Sequence, residues 1–414
     1  MVSFIRRGRN GMKAAAGNTK NDDPLANILI DCGLPLIFKA SKALPLPAVS
    51  SNKKEFVRAY VNSLTVFQKE AIVTSRRAGQ TWRLASDEGK YLRGNDAAPA
   101  PLTFLTIGMV SSFMNEIIAL AKLRRISLNA IVLVQDNFYS MKGAMNLGTM
   151  LAGAEDVHIE AKIDSPSDQV TLQGLVTDAI AASPMGALMR DHKTNLFTLT
   201  HNGKQIATKT VPELDSRLVG ADHAGNIKMA KGDWAQILTR GDLTPKNQNT
   251  NSFAGSSLAN HQNRLLHLRG ICTLREDGVK VIEQQLFNPH GSIYYFLSDE
   301  SAQDGGHALA PNAATYISAG IGFCFMTQFG RFAKMKHSKL HAYSIVQDAH
   351  FTVGGASGCT GKAGDFSPLE THVFLESDED DDFARHILEV AERTCFLHAF
   401  CRTSIKAKVK VSRL

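Results

Sequence analysis

An internal repeat constrains the fold of this chain more than any other feature of its sequence. The segments that start at Thr103 and Thr315 resemble each other at a fixed offset of 212 residues. Identical residues in these segments are Thr103/Thr315, Gly108/Gly320, Phe113/Phe325, Met114/Met326, Ala121/Ala333, Lys122/Lys334, Leu128/Leu340, Ala130/Ala342, Val134/Val346, Gln135/Gln347 and Asp136/Asp348. Background composition would give about two or three matches. The sequence therefore predicts two copies of one domain.

The same offset holds on both sides of this window, through segments that read as loops. Further aligned identities are Ser86/Ser298, Asp87/Asp299, Glu88/Glu300, Ser165/Ser377, Ala179/Ala391, Ala187/Ala399 and Arg190/Arg402. Each copy reads as strands, a long apolar helix, a strand ending in Val-Gln-Asp, another strand, a second helix and a final strand. The chain is therefore predicted to be an α+β protein that arose by duplication.

Domain boundaries follow from the repeat and from local composition. Residues 1–50 have no counterpart in the second copy and are predicted to be an extension. Residues 51–242 are predicted to form the first domain and residues 264–414 the second. Residues 243–263 are predicted to be a linker, because they include a polar, amide-rich run with few large apolar residues.

Two elements near the C-terminus have clear patterns. Residues 382–400 are predicted to form the second helix of the second copy, and the acidic run 378–382 suits a helix N-terminus. In residues 405–411, apolar side chains alternate with lysines. This alternation predicts a half-exposed strand at the edge of a sheet.

Composition excludes several classes of protein. The net charge is +7, but Lys and Arg are scattered, so nucleic-acid binding is not expected. Six cysteines without a CxxC pair favour a cytoplasmic protein over a disulfide scaffold or a zinc site, and no apolar signal segment follows the basic N-terminus. The apolar stretches 102–123 and 316–329 are predicted to be buried core helices and not membrane spans.

The repeat sorts the cysteines into two groups. Cys324 aligns with Ser112, and Cys395 aligns with Ser183. The second copy therefore has a thiol on each predicted core helix where the first copy has a hydroxyl. The other cysteines (Cys32, Cys272, Cys359 and Cys401) show no such pairing, and the first three are interpreted as structural or surface thiols.

This pattern resembles the OsmC/Ohr family. The features that carry the resemblance are a strand-rich first half of the domain, a helix start at Pro311-Asn312, and a central apolar helix with Cys324 inside it (GIGFCFMTQF). A second cysteine-bearing helix before a terminal strand adds to it. In the first copy, Ser183-Pro184 resembles the Cys-Pro of the family's second cysteine site with serine substituted. The resemblance covers residues 57–200 and 269–414.

The resemblance implies a fold and an activity. Each domain would be a strongly curved antiparallel sheet packed on a long central helix and a second helix, and the two domains would form an intramolecular pseudo-dimer. The activity would be reduction of organic hydroperoxides in peroxide stress, with Cys324 as the peroxidatic and Cys395 as the resolving cysteine. Such chemistry needs an external thiol or dithiol reductant, and neither a cofactor nor a metal.

The sequence departs from the family at the residues that activate the thiol. Family members carry an Arg on the strand before the first helix and a Glu about ten residues ahead of the first cysteine. In the second copy these positions fall on 293–296 and on Ala314 or Thr315. The first copy has Arg83 opposite Tyr295, so Arg83 is predicted to complete the site across the pseudo-dimer.

Two other functions stay open from the residues alone. Cys324 could act as a non-redox nucleophile on an electrophilic or ring-derived metabolite, in which case Cys395 would be dispensable. Alternatively, the chain could be a non-catalytic binding or assembly protein, because a cysteine on an apolar helix is often a small buried hydrophobe. His398 is interpreted as a base or a surface residue.

Overall fold

The computed structural model describes residues 26–47, 55–190, 192–216, 227–245 and 256–414. Most of the predicted extension and the centre of the predicted linker lie outside the described residues. The helices are α1 (Ile28–Asp31), α2 (Pro101–Arg124), α3 (Gln169–Ala182), α4 (Ala187–Arg190), α5 (Ala313–Lys336), α6 (Asp381–Thr394) and α7 (Phe396–Cys401).

The strands form two sheets, so the predicted α+β class is confirmed. The strands are β1 (Ile37–Lys39), β2 (Glu55–Ser63), β3 (Lys69–Ser75), β4 (Gln80–Ser86), β5 (Ala130–Ala144), β6 (Leu151–Ala154), β7 (Val157–Asp164), β8 (Leu196–His201), β9 (Lys204–Ile206), β10 (Leu238–Leu243), β11 (His261–Leu274), β12 (Lys280–Asn288), β13 (Ser292–Ser298), β14 (Leu340–Thr352), β15 (Asp365–Phe366), β16 (Glu370–Ser377) and β17 (Ala407–Arg413). Both strands that contain Val-Gln-Asp continue past it, and β11 starts inside the predicted linker.

Each sheet combines strands from both parts of the chain. The first sheet runs β1-β4-β3-β2-β14-β16-β8-β9, with β15 beside β14. The second sheet runs β10-β13-β12-β11-β5-β7-β17, with β6 beside β5. Neighbouring strands are antiparallel except for the pairs β16–β8 and β17–β7, which are parallel. The strand β17 lies at the end of its sheet, as its lysine alternation predicts.

An arginine–aspartate pair crosses each junction between early and late strands. Arg58 on β2 donates two hydrogen bonds to Asp348 on β14, at 2.7 and 2.6 Å. Arg269 on β11 donates two to Asp136 on β5, at 2.8 and 2.9 Å. Two-pronged pairs of this kind fix geometry as well as adding attraction. They therefore hold the strand register at both junctions.

The central helices α2 and α5 lie between the sheets and pack on each other. Their bounds differ by 212 residues at both ends, as do those of α3 and α6. A Cβ on Gly108 would lie 2.5 Å from Ile317, and one on Gly320 would lie 2.8 Å from the backbone of Leu105. Only glycine allows backbones to approach this closely. The predicted role of Gly320 in close helix packing is therefore confirmed.

Both central helices are buried on nearly every side. Among the described residues, α2 is one helix that is long and apolar enough to cross a membrane, and 83% of its apolar window is buried inside the protein. A helix at the core of a folded domain meets the same criteria. The prediction of a buried core helix in each apolar stretch is confirmed by the burial of α2 and α5.

The predicted second helix is broken into two helices. Helix α6 ends at Thr394, Cys395 has an extended backbone (φ −78°, ψ 119°), and α7 starts at Phe396. The Asp380 side chain accepts a hydrogen bond of 2.8 Å from the backbone N–H of Phe383 and so caps α6, as the acidic run predicts. Cys395 therefore lies at a break between helices and not inside one.

Candidate active site

The structure brings Cys324 and Cys395 together. Cys324 lies at the middle of α5, and the break before α7 turns the Cys395 side chain toward it. The two Sγ atoms are 3.5 Å apart. Both side chains are buried, and both thiols are free. A disulfide needs about 2.05 Å between the sulfurs, so a small movement joins them.

The surroundings of Cys395 favour its protonated form. Burial, the main cause, and the adjacent Cys324 raise the pKa of the Cys395 thiol well above its usual value. The backbone N–H of His398 donates to Cys395 Sγ at 3.4 Å and opposes this only in part. Of the two sulfurs, Cys395 is therefore the one that is held as a thiol in the reduced protein.

A pair of serines occupies the corresponding place in the first part of the chain. Ser112 lies on α2, and Ser183 follows the last residue of α3. Their Oγ atoms are 2.7 Å apart, so one hydroxyl donates to the other. The offset of 212 that aligns these serines with the cysteines therefore also predicts their contact.

A small cavity of about 30 Å³ lies beside Cys324. This space is enough for about one or two water molecules. Three charged side chains, Glu88, Arg264 and Arg331, help to line it. The remaining wall is largely apolar and includes Leu102, Leu266, Leu286 and Phe396. The cavity thus places a thiol, two guanidinium groups and a carboxyl in a site largely shielded from water.

The two arginines of the cavity form no ion pair within 4 Å with a described carboxylate. Arg331 Nε donates to the backbone oxygen of Ser257 at 2.9 Å, and Arg264 donates to the Ser257 hydroxyl. The buried Arg264 Nε has no hydrogen-bond partner among the described residues. Burial lowers the pKa of Arg331 to about 9, with a further contribution from Arg264, and burial lowers the pKa of Arg264 to about 10.

Further buried charges surround the cavity. The Glu88 carboxyl accepts hydrogen bonds from Tyr91 at 2.6 Å and Thr327 at 2.9 Å, and burial raises its pKa. Lys69 is fully buried, which lowers its pKa to about 8, and the nearby Glu88, Asp87 and Cys324 oppose that shift. Three cations (Lys69, Arg264 and Arg331) thus accompany two carboxyls (Asp87 and Glu88). An additional negative charge at Cys324 would balance this group.

The structure does not place Arg83 at the cysteines, which corrects the prediction from sequence. Arg83 donates to Glu70 at 3.3 Å and to the backbone oxygen of Pro35 at 3.2 Å. Its neighbours Trp82 and Leu84 belong to the main core. Because side chains alternate along a strand, Arg83 faces the opposite side of β4.

The comparison with protein families is decided by the part of the chain around these cysteines. Residues 305–410 match the family model described as OsmC-like protein. This part of the chain is an OsmC-like domain. No curated protein matches the chain. A solved OsmC-like hydroperoxide resistance protein from Jannaschia sp. CCS1 is 18% identical, covering 33% of this chain and 85% of that chain, with a TM-score of 0.20. A TM-score this low carries no argument.

The OsmC-like domain contains both cysteines, but it does not contain the whole wall of its cavity. Glu88 precedes the central helix α2, and Arg264 lies on β11, so both are outside residues 305–410. Sequence reasoning missed them together with Lys69 and Arg331. For Glu88 a signal existed, because Ser86-Asp87-Glu88 repeats at Ser298-Asp299-Glu300. That repeat marks a fixed position ahead of each central helix.

His398 is buried, so the prediction of a surface residue is wrong. Its Nδ1 bonds to the Glu392 carboxylate, and its ring packs on Phe325 at 4.4 Å between centroids. Glu392 also accepts from Arg402 at 2.9 Å. Among the described residues, no three His, Cys, Asp or Glu side chains are grouped as metal ligands.

A loop from the OsmC-like domain packs near the serine pair. Residues 353–364 follow β14, and the Glu116 carboxylate on α2 accepts hydrogen bonds from the backbone N–H groups of Ala356 and Ser357. A Cβ on Gly364 would lie 2.5 Å from Pro184, the residue after Ser183. Gln328 lies at the Glu116 position of the second copy. The surroundings of the serine pair are therefore filled differently from those of the cysteine pair.

We expect Gly355→Ala to destabilise the protein more than Gly361→Ala. Both glycines have φ +64°, so alanine costs about 1–2 kcal/mol at either position. At Gly355 the new Cβ would also lie 1.9 Å from a Glu116 carboxylate oxygen, whereas at Gly361 no atom lies within 4 Å. Displacing that buried carboxylate adds about 1–3 kcal/mol. Urea unfolding measures the difference, and equal losses would contradict the packing described here.

Proposed function

We propose that this chain is a thiol-dependent reductase of organic hydroperoxides in which Cys324 attacks the peroxide and Cys395 resolves the product. The observation that carries the proposal is the 3.5 Å contact between the two sulfurs at the wall of a cavity that also contains two arginines. A sulfenic acid is over-oxidised unless a thiol traps it. Two buried thiols in contact suit this reaction better than either alternative function.

The proposal includes a tandem arrangement of two OsmC-like halves, residues 51–242 and 264–414, joined by residues 243–263. Support comes from the equal offset of α2 and α5, from the serine pair, and from the exchange of strands between the halves. The halves would then form an intramolecular pseudo-dimer. In this arrangement the first half is structural at its own serine pair and supplies Lys69 and Glu88 to the site of the second.

Activation of Cys324 is attributed to the buried cations. A thiol becomes a strong nucleophile when nearby cations favour its thiolate. Arg264 and Arg331 line the cavity with Cys324 and have no carboxylate partner of their own among the described residues. The resemblance assigns this role to one Arg and one Glu, and here Arg264, Arg331 and Glu88 take their place. Arg83 has no part in it.

The reaction balances with two thiols and one peroxide. The Cys324 thiolate attacks the terminal oxygen of R–O–O–H, the O–O bond breaks, and the alkoxide leaves and takes up a proton as the alcohol. Cys324 is then a sulfenic acid. Cys395 sulfur attacks Cys324 sulfur, the S–S bond forms, and the sulfenic oxygen leaves as water with the Cys395 proton. An external thiol or dithiol then reduces the disulfide to two thiols.

Stoichiometric oxidation tests this proposal. Of the six cysteines, the exposed Cys32 and Cys359 are first replaced by serine so that four remain. We expect one equivalent of cumene hydroperoxide, added without reductant, to remove two thiols and release one equivalent of cumyl alcohol. Peptide mapping should locate the disulfide between Cys324 and Cys395. Retention of all four thiols would refute the peroxidase.

The variant Cys395→Ser separates this function from a non-redox nucleophile. A peroxidase that lacks its resolving thiol should consume one equivalent of peroxide and stop with a sulfenic acid on Cys324, which dimedone labels. A nucleophile for carbon electrophiles should instead leave the peroxide untouched. A binding protein should show neither reaction.

A further inference from the structure

A buried tyrosine hydroxyl lies near the cysteine pair, on an element of the first half. Tyr139 on β5 points into the core and is fully buried. Its ring packs against Phe396 at 6.0 Å and Phe400 at 6.3 Å between centroids. These two residues lie on α7, which starts directly after Cys395. The Tyr139 hydroxyl is close enough to Cys324, Cys395 and Cys401 for their charges to act on it.

The proton of this hydroxyl is not committed to any described acceptor. The Tyr139 oxygen has no hydrogen bond of ordinary geometry among the described residues, although a buried tyrosine normally finds a partner. The nearest polar group is the side chain of Asn137. Its Oδ1 already accepts from Gln135 at 2.7 Å, so the Asn137 amide faces Tyr139 only as a donor. The phenolic O–H therefore remains available.

Tyr139 is a donor and not a base in this environment. Burial, and then the proximity of the Cys324 sulfur, raises the pKa of the Tyr139 phenol well above its usual value. The hydroxyl thus stays protonated wherever the thiol chemistry operates. Tyr139 is also absent from the lining of the cavity beside Cys324. Its position near α7 suits the step that involves Cys395 better than the arrival of the peroxide.

The serine pair provides an internal comparison. At the offset of 212, the residue that corresponds to Tyr139 is Phe351, which has no hydroxyl. Phe351 stacks on Phe366 at 6.0 Å, in the strand pair that flanks the loop near Pro184. The phenolic hydroxyl thus accompanies the thiols and is missing where the thiols are replaced by serines.

We propose that Tyr139 is a catalytic residue of the resolving step, whose hydroxyl donates a hydrogen bond to the oxygen carried by oxidised Cys324. As Cys395 sulfur attacks Cys324 sulfur, the S–O bond breaks and negative charge develops on the departing oxygen. The Tyr139 O–H stabilises that charge, and the Cys395 proton completes the water molecule. Tyr139 keeps its own proton, so the balance of the reaction is unchanged. This inference rests on the proposed peroxidase function.

The variant Tyr139→Phe removes the hydroxyl and keeps the ring that packs on α7. We expect disulfide formation after the peroxide step to slow by about 10- to 100-fold, the value of one hydrogen bond to a charged group. Consumption of the first peroxide equivalent should change by less than about twofold, because this donor acts after it. With excess peroxide, Cys324 should accumulate as sulfinic acid, which mass spectrometry detects.

The matched control is Phe351→Tyr, which adds a hydroxyl on the corresponding strand of the other half and should leave disulfide formation unchanged. Stopped-flow fluorescence and quenched thiol counts follow the two steps separately, and thermal melts check that both variants fold. If wild-type protein reduces peroxide but Tyr139→Phe forms its disulfide at the same rate, this inference is wrong. If wild-type protein does not reduce peroxide, the proposed function fails first.

Discussion

Replacing Cys324 with serine is expected to lower hydroperoxide consumption by at least about 1000-fold. A serine hydroxyl is not ionised near neutral pH and does not take up oxygen from a peroxide. The fold should persist, because Ser112 and Ser183 already form a hydrogen-bonded pair at the corresponding place. Consumption is measured with dithiothreitol as reductant, and circular dichroism checks the fold. Wild-type consumption by this variant would exclude Cys324 as the attacking residue.

A converse variant supplies the control for this experiment. Ser112→Cys with Ser183→Cys, in the Cys324→Ser background, creates a pair of thiols in the first half. We expect these thiols to be oxidised slowly, because Ala119 stands where the second half has Arg331, and Glu116 is bound by the 353–364 loop. Rapid peroxide reduction by this variant would show that two adjacent thiols are enough, and that the buried cations are not needed.

The variant Arg331→Met should lower the rate of peroxide reduction at pH 7 by about 10- to 100-fold. Methionine fills similar space without the charge. Loss of a cation disfavours the thiolate, so a higher pH is needed to form it, and the curve of rate against pH should move upward. Alkylation of Cys324 by iodoacetamide, followed from pH 5 to 10 or so, measures the same shift without peroxide.

Arg83→Met is the matched control, because Arg83 is also a buried arginine but faces the other side of β4. It pairs with Glu70 at 3.3 Å. We expect this variant to leave the pH dependence unchanged, even if it lowers stability. An equal shift in both variants would mean that overall charge, and not the wall of the cavity, sets the reactivity of Cys324.

The repeat carried most of what could be predicted about the fold. It placed the central helices α2 and α5 in register, and it aligned Ser112 with Cys324 and Ser183 with Cys395 before any contact was known. This works because a buried helix of a duplicated domain keeps its length and its contacts. The edge strand β17 could also be predicted, since lysines that alternate with apolar residues are typical of a strand with one face in solvent.

The charged wall of the cavity could not be predicted in the same way. Glu88, Arg264 and Arg331 come from three elements far apart in the chain, and their meeting depends on how the strands of both parts interleave. No pattern along the sequence records that. The break at Cys395 was missed because 382–400 has a continuous helical pattern, whereas in the first copy Pro184 marks the corresponding break openly. Arg83 was misplaced because its partner strand, and not its alignment, decides which face it occupies.

The parallel pairing of β17 with β7 has a consequence for synthesis of the protein. Val157 lies opposite Ala407, so 250 residues separate the two partners. During translation, β7 must wait with one edge unpaired until nearly the last residue leaves the ribosome. Contacts this distant in sequence slow folding, and exposed edges invite wrong partners. Maturation of the second sheet is therefore a post-translational event, and a nascent chain of this protein has a lasting need for chaperones.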